Sequence, residues 1–141
     1  MVPIEFAHVG MGCKDPLAVE QFYVKYFGFQ RARVIPLGSE QIVFLKSGAV
    51  YLELFLAKEP SPLAPPDKDG YPFAGLKHLA FQVANVDAKL QELGRDAKIT
   101  LGPFDFNDFI KGWRTVWVAD PEGNIIEISQ GYVDQENPPA L

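Results

Sequence analysis

The sequence predicts an α+β chain made of two tandem repeats, each running strand, helix, then three strands. Three observations carry this. The only two histidines, His8 and His78, sit in matching alternating stretches, IEFAHVGM (Ile4–Met11) and LKHLAFQV (Leu76–Val83), 70 positions apart in a chain of 141. The helix, turn and strand signals that follow each stretch come in the same order. The last strand of each half carries one glutamate in an apolar run, Glu53 in VYLELFL and Glu127 in NIIEISQ, 74 positions apart. Period-two alternation marks half-buried strands, and self-similarity marks a duplicated unit.

In the first half, Ile4–Met11 reads as a strand with His8 opposite Ala7, Val9 and Met11. Asp15-Pro16 opens a helix, with Asp as N-cap and Pro at the first position, where its missing N–H costs nothing. Val19, Phe22, Tyr23 and Tyr26 form its apolar stripe, and Gly28 suits its C-terminus. Phe29–Ile35, Gln41–Lys46 and Ala49–Leu56 read as strands, separated by Pro36, Gly38 and Ser39 and by Ser47-Gly48. Lys58–Gly75 holds five of the twelve prolines and no sustained period, so it reads as a linker that doubles as a lid.

The second half opens on Leu76–Val83, with His78, Ala80 and Gln82 on one face. Asn85 caps a short helix with Val86, Leu90 and Leu93 inward, ended by Gly94. Lys98–Leu101 is a short strand, Gly102-Pro103 a turn, and Phe104–Gly112 irregular. Trp113–Ala119 and Asn124–Gln130 are strands joined by the turn Asp120-Pro-Glu-Gly-Asn124, with Pro121 and Gly123 at its corners. The expected organisation is a first module over 1–57, a linker and lid over 58–75, a second module over 76–131 and a polar tail over 132–141.

An apolar content of 48% is enough for a core without staples. A net charge of −5 with scattered Lys and Arg argues against nucleic-acid or anionic-membrane partners. A single cysteine, Cys13, excludes an intrachain disulfide and fits a reducing cytoplasm; it reads as an inert, partly buried thiol. The N-terminal MVPIEFAH lacks the features of a signal peptide, and no apolar run reaches the length of a membrane span.

Burying a lone carboxylate in an apolar strand is costly, so Glu53 and Glu127 need a reason. Leu52 and Leu54 share one face of their strand, and Tyr51, Glu53 and Phe55 the other. Ile126 and Ile128 likewise oppose Ile125, Glu127 and Ser129. Both glutamates therefore sit opposite an aliphatic stripe that faces the helices, as the histidines do. Two neutral imidazoles and two carboxylates balance one divalent cation, and the set His8, Glu53, His78 and Glu127 suits Zn, Ni, Co, Mn or Fe(II) with positions left for water or substrate. Tyr51 and Phe55 flank Glu53 and are expected to wall a pocket. Arg114 and Trp113 are the other substrate-binding candidates, Arg114 for an anionic group, and Gln82 is placed to support His78.

Three segments, HVGMGCKDPLAVEQFYVKYFGF, LKHLAFQVANVDAKLQEL and WVADPEGNIIEISQG, resemble the vicinal oxygen chelate superfamily, which includes glyoxalase I, fosfomycin- and bleomycin-resistance proteins, extradiol dioxygenases and methylmalonyl-CoA epimerase. The resemblance runs from Ile4 to about Gly131. It implies paired βαβββ units forming a cupped mixed sheet with helices outside, and the ligands His8, Glu53, His78 and Glu127, most similar to those of bacterial-type glyoxalase I. It also implies a lyase or isomerase in which the ion takes two substrate oxygens and stabilises an enediolate, with Glu127 or Glu53 moving the proton. Gly12 and Ala57 stand where glyoxalase I has Arg and Asn, which argues against glutathione. The alternatives are an extradiol-type dioxygenase using His8, His78 and Glu127, and a metal-free antibiotic-binding protein. A homodimer is expected, since each half-sheet has open edges.

Overall fold

The computed structural model covers residues 1–141. It divides into two compact units, Met1–Ala64 and Pro65–Leu141, each with one α-helix and one four-stranded mixed sheet. The duplicated strand–helix–three-strand order is present, so the fold is α+β in tandem βαβββ modules.

The first unit holds β1 (Val9–Cys13), α1 (Pro16–Phe27), β2 (Gln30–Leu37), β3 (Glu40–Ser47) and β4 (Val50–Leu56), in sheet order β1-β4-β3-β2. β1 runs parallel to β4 and the other pairs are antiparallel. A parallel pair needs a crossover, and α1 belongs to it. Asp15 caps the helix by accepting from the Ala18 N–H at 3.0 Å. Gly28, at φ 69°, ends it in the left-handed conformation. Val19, Phe22, Tyr23 and Tyr26 are buried, as are Met11, Cys13, Val43, Leu45, Leu52 and Leu54. The register pairs Val43 with Leu54 and Leu45 with Leu52, so these side chains form one helix-covered face. Glu20, on the buried side of α1, accepts from Arg31 Nη2 of β2 at 2.9 Å. That hydrogen bond and the adjacent charge raise the Arg31 pKa. A buried carboxylate is thereby paired at the sheet edge.

The second unit repeats the plan with β5 (Leu79–Gln82), α2 (Val86–Leu93), a 3-10 turn (Gly94–Asp96), β6 (Lys98–Asp105), β7 (Arg114–Ala119) and β8 (Ile125–Gln130), in order β5-β8-β7-β6. β5 is parallel to β8. Asn85 accepts from the Ala88 N–H at 2.8 Å, and Gln130 of β8 accepts from the Val86 N–H at 2.6 Å, tying helix start to sheet. Val86, Leu93, Val116, Val118, Ile126 and Ile128 are buried. In the turn before β8, the buried Asp120 accepts from the N–H groups of Glu122 and Asn124, both at 2.9 Å, and from the Asn124 amide.

Several expected boundaries move, for identifiable reasons. Neither histidine lies within a strand: β1 begins at Val9 and β5 at Leu79. The parallel ladders start at Val9↔Leu52 and Leu79↔Ile126, although the partner strands already begin at Val50 and Ile125. The ladder runs out where each histidine stands, and each ring is left just beyond a strand start. Pro36 is not a turn residue but part of β2, and β6 continues through Gly102-Pro103 to Asp105. Both are edge strands, where a missing N–H is tolerated, and register irregularities in β6 absorb the extra residues.

If Ile128 belongs to the helix-covered face, Ile128→Ala is expected to cost about 2–5 kcal/mol in urea unfolding. The half-exposed Leu56→Ala is expected to cost under about 1 kcal/mol.

Candidate functional site

In the first unit, His8 lies directly before β1 and Glu53 is central in β4. Gly10 sits opposite Glu53 in the parallel register, and Phe44 opposite it in the antiparallel one. Glu53 is thus on the face away from α1. His8 Nε2 is 2.8 Å from Glu53 Oε2. The Phe44 ring meets the His8 ring edge to face at 5.6 Å. Tyr51 and Phe55 share the alternation of Glu53, and Lys46 Nζ stands 5.2 Å over the Tyr51 ring.

The second unit has the same arrangement. Ala80 and Trp117 are the register neighbours of Glu127, and His78 Nε2 is 2.8 Å from Glu127 Oε2. A small residue on one flank and an aromatic on the other therefore surround each glutamate. The carboxylates are 16% exposed in both units, while His78 is less open than His8, 21% against 40%.

His78 is also held from behind. Its Nδ1 is 2.6 Å from the Asp69 carbonyl oxygen, which only accepts, so Nδ1 carries the proton. Nε2 then faces a carboxylate oxygen. Two acceptors at 2.8 Å need a proton or a cation between them. The loop that supplies Asp69 is built rather than slack. Asp67 bridges Gly70, Thr100 Oγ1 donates to the Lys68 carbonyl at 2.6 Å, and Lys77 pairs with Asp69 at 3.3 Å. Gly70 has φ 131°, and a Cβ there would stand 2.1 Å from the Lys77 carbonyl oxygen. Only glycine lets the loop approach this closely.

Trp113 is adjacent to this site; its Nε1 donates to Ser129 Oγ at 2.9 Å. Arg114 has the opposite parity, shared with the buried Val116 and Val118. Its guanidinium contacts Asp87 of α2 and Asp105 of β6, both at 3.0 Å. The Asp87 hydrogen bond leads the causes that raise its pKa. Arg114 thus joins helix to sheet and is not gathered with Glu127. Gly12 and Ala57 are neighbours: a Cβ on Gly12 would lie 3.9 Å from that of Ala57. Cys13 is fully buried. No group of three or more His, Cys, Asp or Glu side chains that could hold a metal ion forms in the chain; the four expected ligands are assembled as two pairs. The sequence reading missed the Asp69 carbonyl and Tyr132, whose ring lies 6.1 Å from that of Trp113.

Residues 5–128 match the model of the Glyoxalase/Bleomycin resistance protein/Dioxygenase superfamily. The chain belongs to this superfamily. It is 30% identical over 125 residues to the uncharacterized protein YwkD of Bacillus subtilis (strain 168), covering 86% of this chain and 92% of that one. Among solved structures it resembles a glyoxalase family protein from Enterococcus faecalis, at 27% identity and a TM-score of 0.68, with 92% and 99% of the two chains covered. A lactoylglutathione lyase from Agrobacterium tumefaciens shares the fold at 23% identity and a TM-score of 0.59, with 93% and 96% covered. The superfamily takes in enzymes and resistance proteins alike, so the reaction has to be argued from the site. No helix is long and apolar enough to cross a membrane.

The role of Gly70 is testable. In nitrogen-resolved NMR, the His78 Nδ1 proton is expected to exchange slowly in the unaltered protein. It should exchange fast in Gly70→Ala, with a stability loss of about 1–3 kcal/mol. A proton equally protected in both proteins would show that the loop does not hold the ring.

Proposed function

We propose that the chain is a metal-dependent lyase or isomerase acting on a small substrate that presents two adjacent oxygens. The observation that carries this is the duplicated His–Glu pair, at the same register position in both units with the same 2.8 Å spacing. His8, Glu53, His78 and Glu127 would together hold one divalent ion, Zn, Ni, Co, Mn or Fe. The donor set fits such an ion in charge and in chemistry: two neutral imidazoles and two carboxylates balance a divalent cation, and each unit brings one imidazole nitrogen and one carboxylate oxygen to within 2.8 Å of each other. Such an ion supplies Lewis-acid polarisation of the substrate oxygens.

The chain's own groups do the rest. Glu127 lines a cavity and in this proposal takes a proton from the carbon beside those oxygens and returns it. Glu53, between Tyr51 and Phe55, serves mainly as a ligand. The Asp69 carbonyl keeps His78 in the tautomer that presents Nε2. The uncharged Gly12–Ala57 corner offers nothing to a peptide carboxylate, which argues against glutathione as the carrier.

The active form in this proposal is a cytoplasmic homodimer. β2 is an exposed edge along its whole length and displays Val34, Ile35 and Leu37, an edge of the kind that proteins cover.

Metal analysis tests the centre. The unaltered protein is expected to bind about one ion per four-ligand set. His8→Ala and His78→Ala should each weaken binding by more than the about 10–100-fold typical of losing a supporting residue. Full stoichiometry in either variant would sink the proposal. Glu53→Gln adds a second check: retained metal would point to the three-ligand set His8, His78 and Glu127 and to dioxygenase chemistry.

A further inference from the structure

Glu127 opens onto a cavity of about 340 Å³, shared with Ala80, Gln82, Trp113, Ser129 and Tyr132. The Trp113 N–H is spent on Ser129 Oγ, which is also in contact with Thr115 Oγ1 at 3.0 Å. The indole, which also packs against Phe106 with ring centroids 5.1 Å apart, is therefore locked in orientation and presents its remaining ring surface rather than a donor. The Tyr132 hydroxyl is engaged by Asp134, which raises its pKa, so this ring too offers only its hydrocarbon body. The two rings are 6.1 Å apart at an interplanar angle of 62°. A third ring can stack on one and meet the edge of the other, the arrangements aromatic quadrupoles favour. Ala80, beside Glu127 in the register, leaves the floor open.

We propose that this cavity is an aromatic subsite, and that one of the substrate's two neighbouring oxygen-bearing carbons also bears a flat aromatic ring seated against Trp113 and Tyr132. The inference deepens the reading of Glu127 and His78 as half of a chelating centre and rests on it. The volume agrees: an apolar cavity of about 150 Å³ suffices for benzene, so about 340 Å³ holds a ring together with the oxygen-bearing atoms next to Glu127. Gln82 brings the one side-chain amide among the lining residues, placed by the register beside Ser129, where it can meet a ring substituent. Tyr132 belongs to the segment after β8, so the subsite depends on where that segment lies.

Mandelate and lactate separate the idea cleanly, because both present a hydroxyl beside a carboxylate and differ only in phenyl against methyl. The Co(II)-loaded protein would be titrated with each by calorimetry. Mandelate is expected to bind at least about tenfold tighter, about 1.4 kcal/mol. Tyr132→Leu should reduce the ratio to less than about threefold, Tyr132→Phe should keep it, and Trp113→Leu should reduce it as Tyr132→Leu does. Equal affinities in the Co(II)-loaded protein would overturn the subsite while leaving the chelating centre standing. A preference unchanged in both leucine variants would also overturn it. If the protein takes up no Co(II), the chelating centre fails instead. The subsite is then decided on metal-free protein with benzyl alcohol against cyclohexylmethanol: tighter binding of the aromatic alcohol supports it, and equal binding overturns it.

Discussion

The parallel ladder between the first and last strand of each module is the constraint on which the rest depends. Parallel neighbours require a crossover connection, and the crossover here contains the helix. The helix covers one face of the sheet and leaves the other for chemistry. The same ladder joins residues about 45 positions apart and brings His8 beside Glu53 and His78 beside Glu127. A glutamate inside an apolar strand is expensive without a partner; the ladder delivers that partner at its fraying end.

Duplication has not left the modules identical. Each glutamate has a small residue on its parallel flank and an aromatic on its antiparallel flank, Gly10 and Phe44 in one unit, Ala80 and Trp117 in the other. The imidazoles are supported differently. His78 is backed by a carbonyl in a loop with two left-handed residues, Lys68 and Gly70, whereas His8 has an aromatic edge beside it and is more open to solvent. The second module gives its imidazole the additional partner, and the cavity beside Trp113 lies in that module.

The duplicated order, both helix caps and the faces of Glu53 and Glu127 were legible in the sequence because each rests on local periodicity or a local hydrogen bond. Asp15 and Asn85 cap within their own first turns, and alternation alone assigns the side of Leu52 against Glu53. What was not legible depends on distant chain. The strand starts at Val9 and Leu79 are the points where the ladders to the distant β4 and β8 begin. Pro36 and Pro103 are tolerated in strands only because the sheet order puts those strands at edges. The Asp69 carbonyl and the Tyr132 ring reach the site through loop and tail paths that carry no period. Arg114 is instructive in another way: its parity with Val116 and Val118 already assigned it to the helix side, and its charge alone suggested otherwise.

Gly10 lies in an ordinary strand conformation, and a methyl group there would meet only relaxed contacts, 3.7 Å from Phe55 and 3.9 Å from Glu53. Nothing in the backbone demands a glycine at this position. The bare strip of main chain beside the carboxylate is therefore an adjustable aperture: enlarging the residue at 10, as alanine already does at 80, narrows the approach to the acid without disturbing the ladder beneath it. Divergence or engineering of ligand size has a handle here that is decoupled from foldedness.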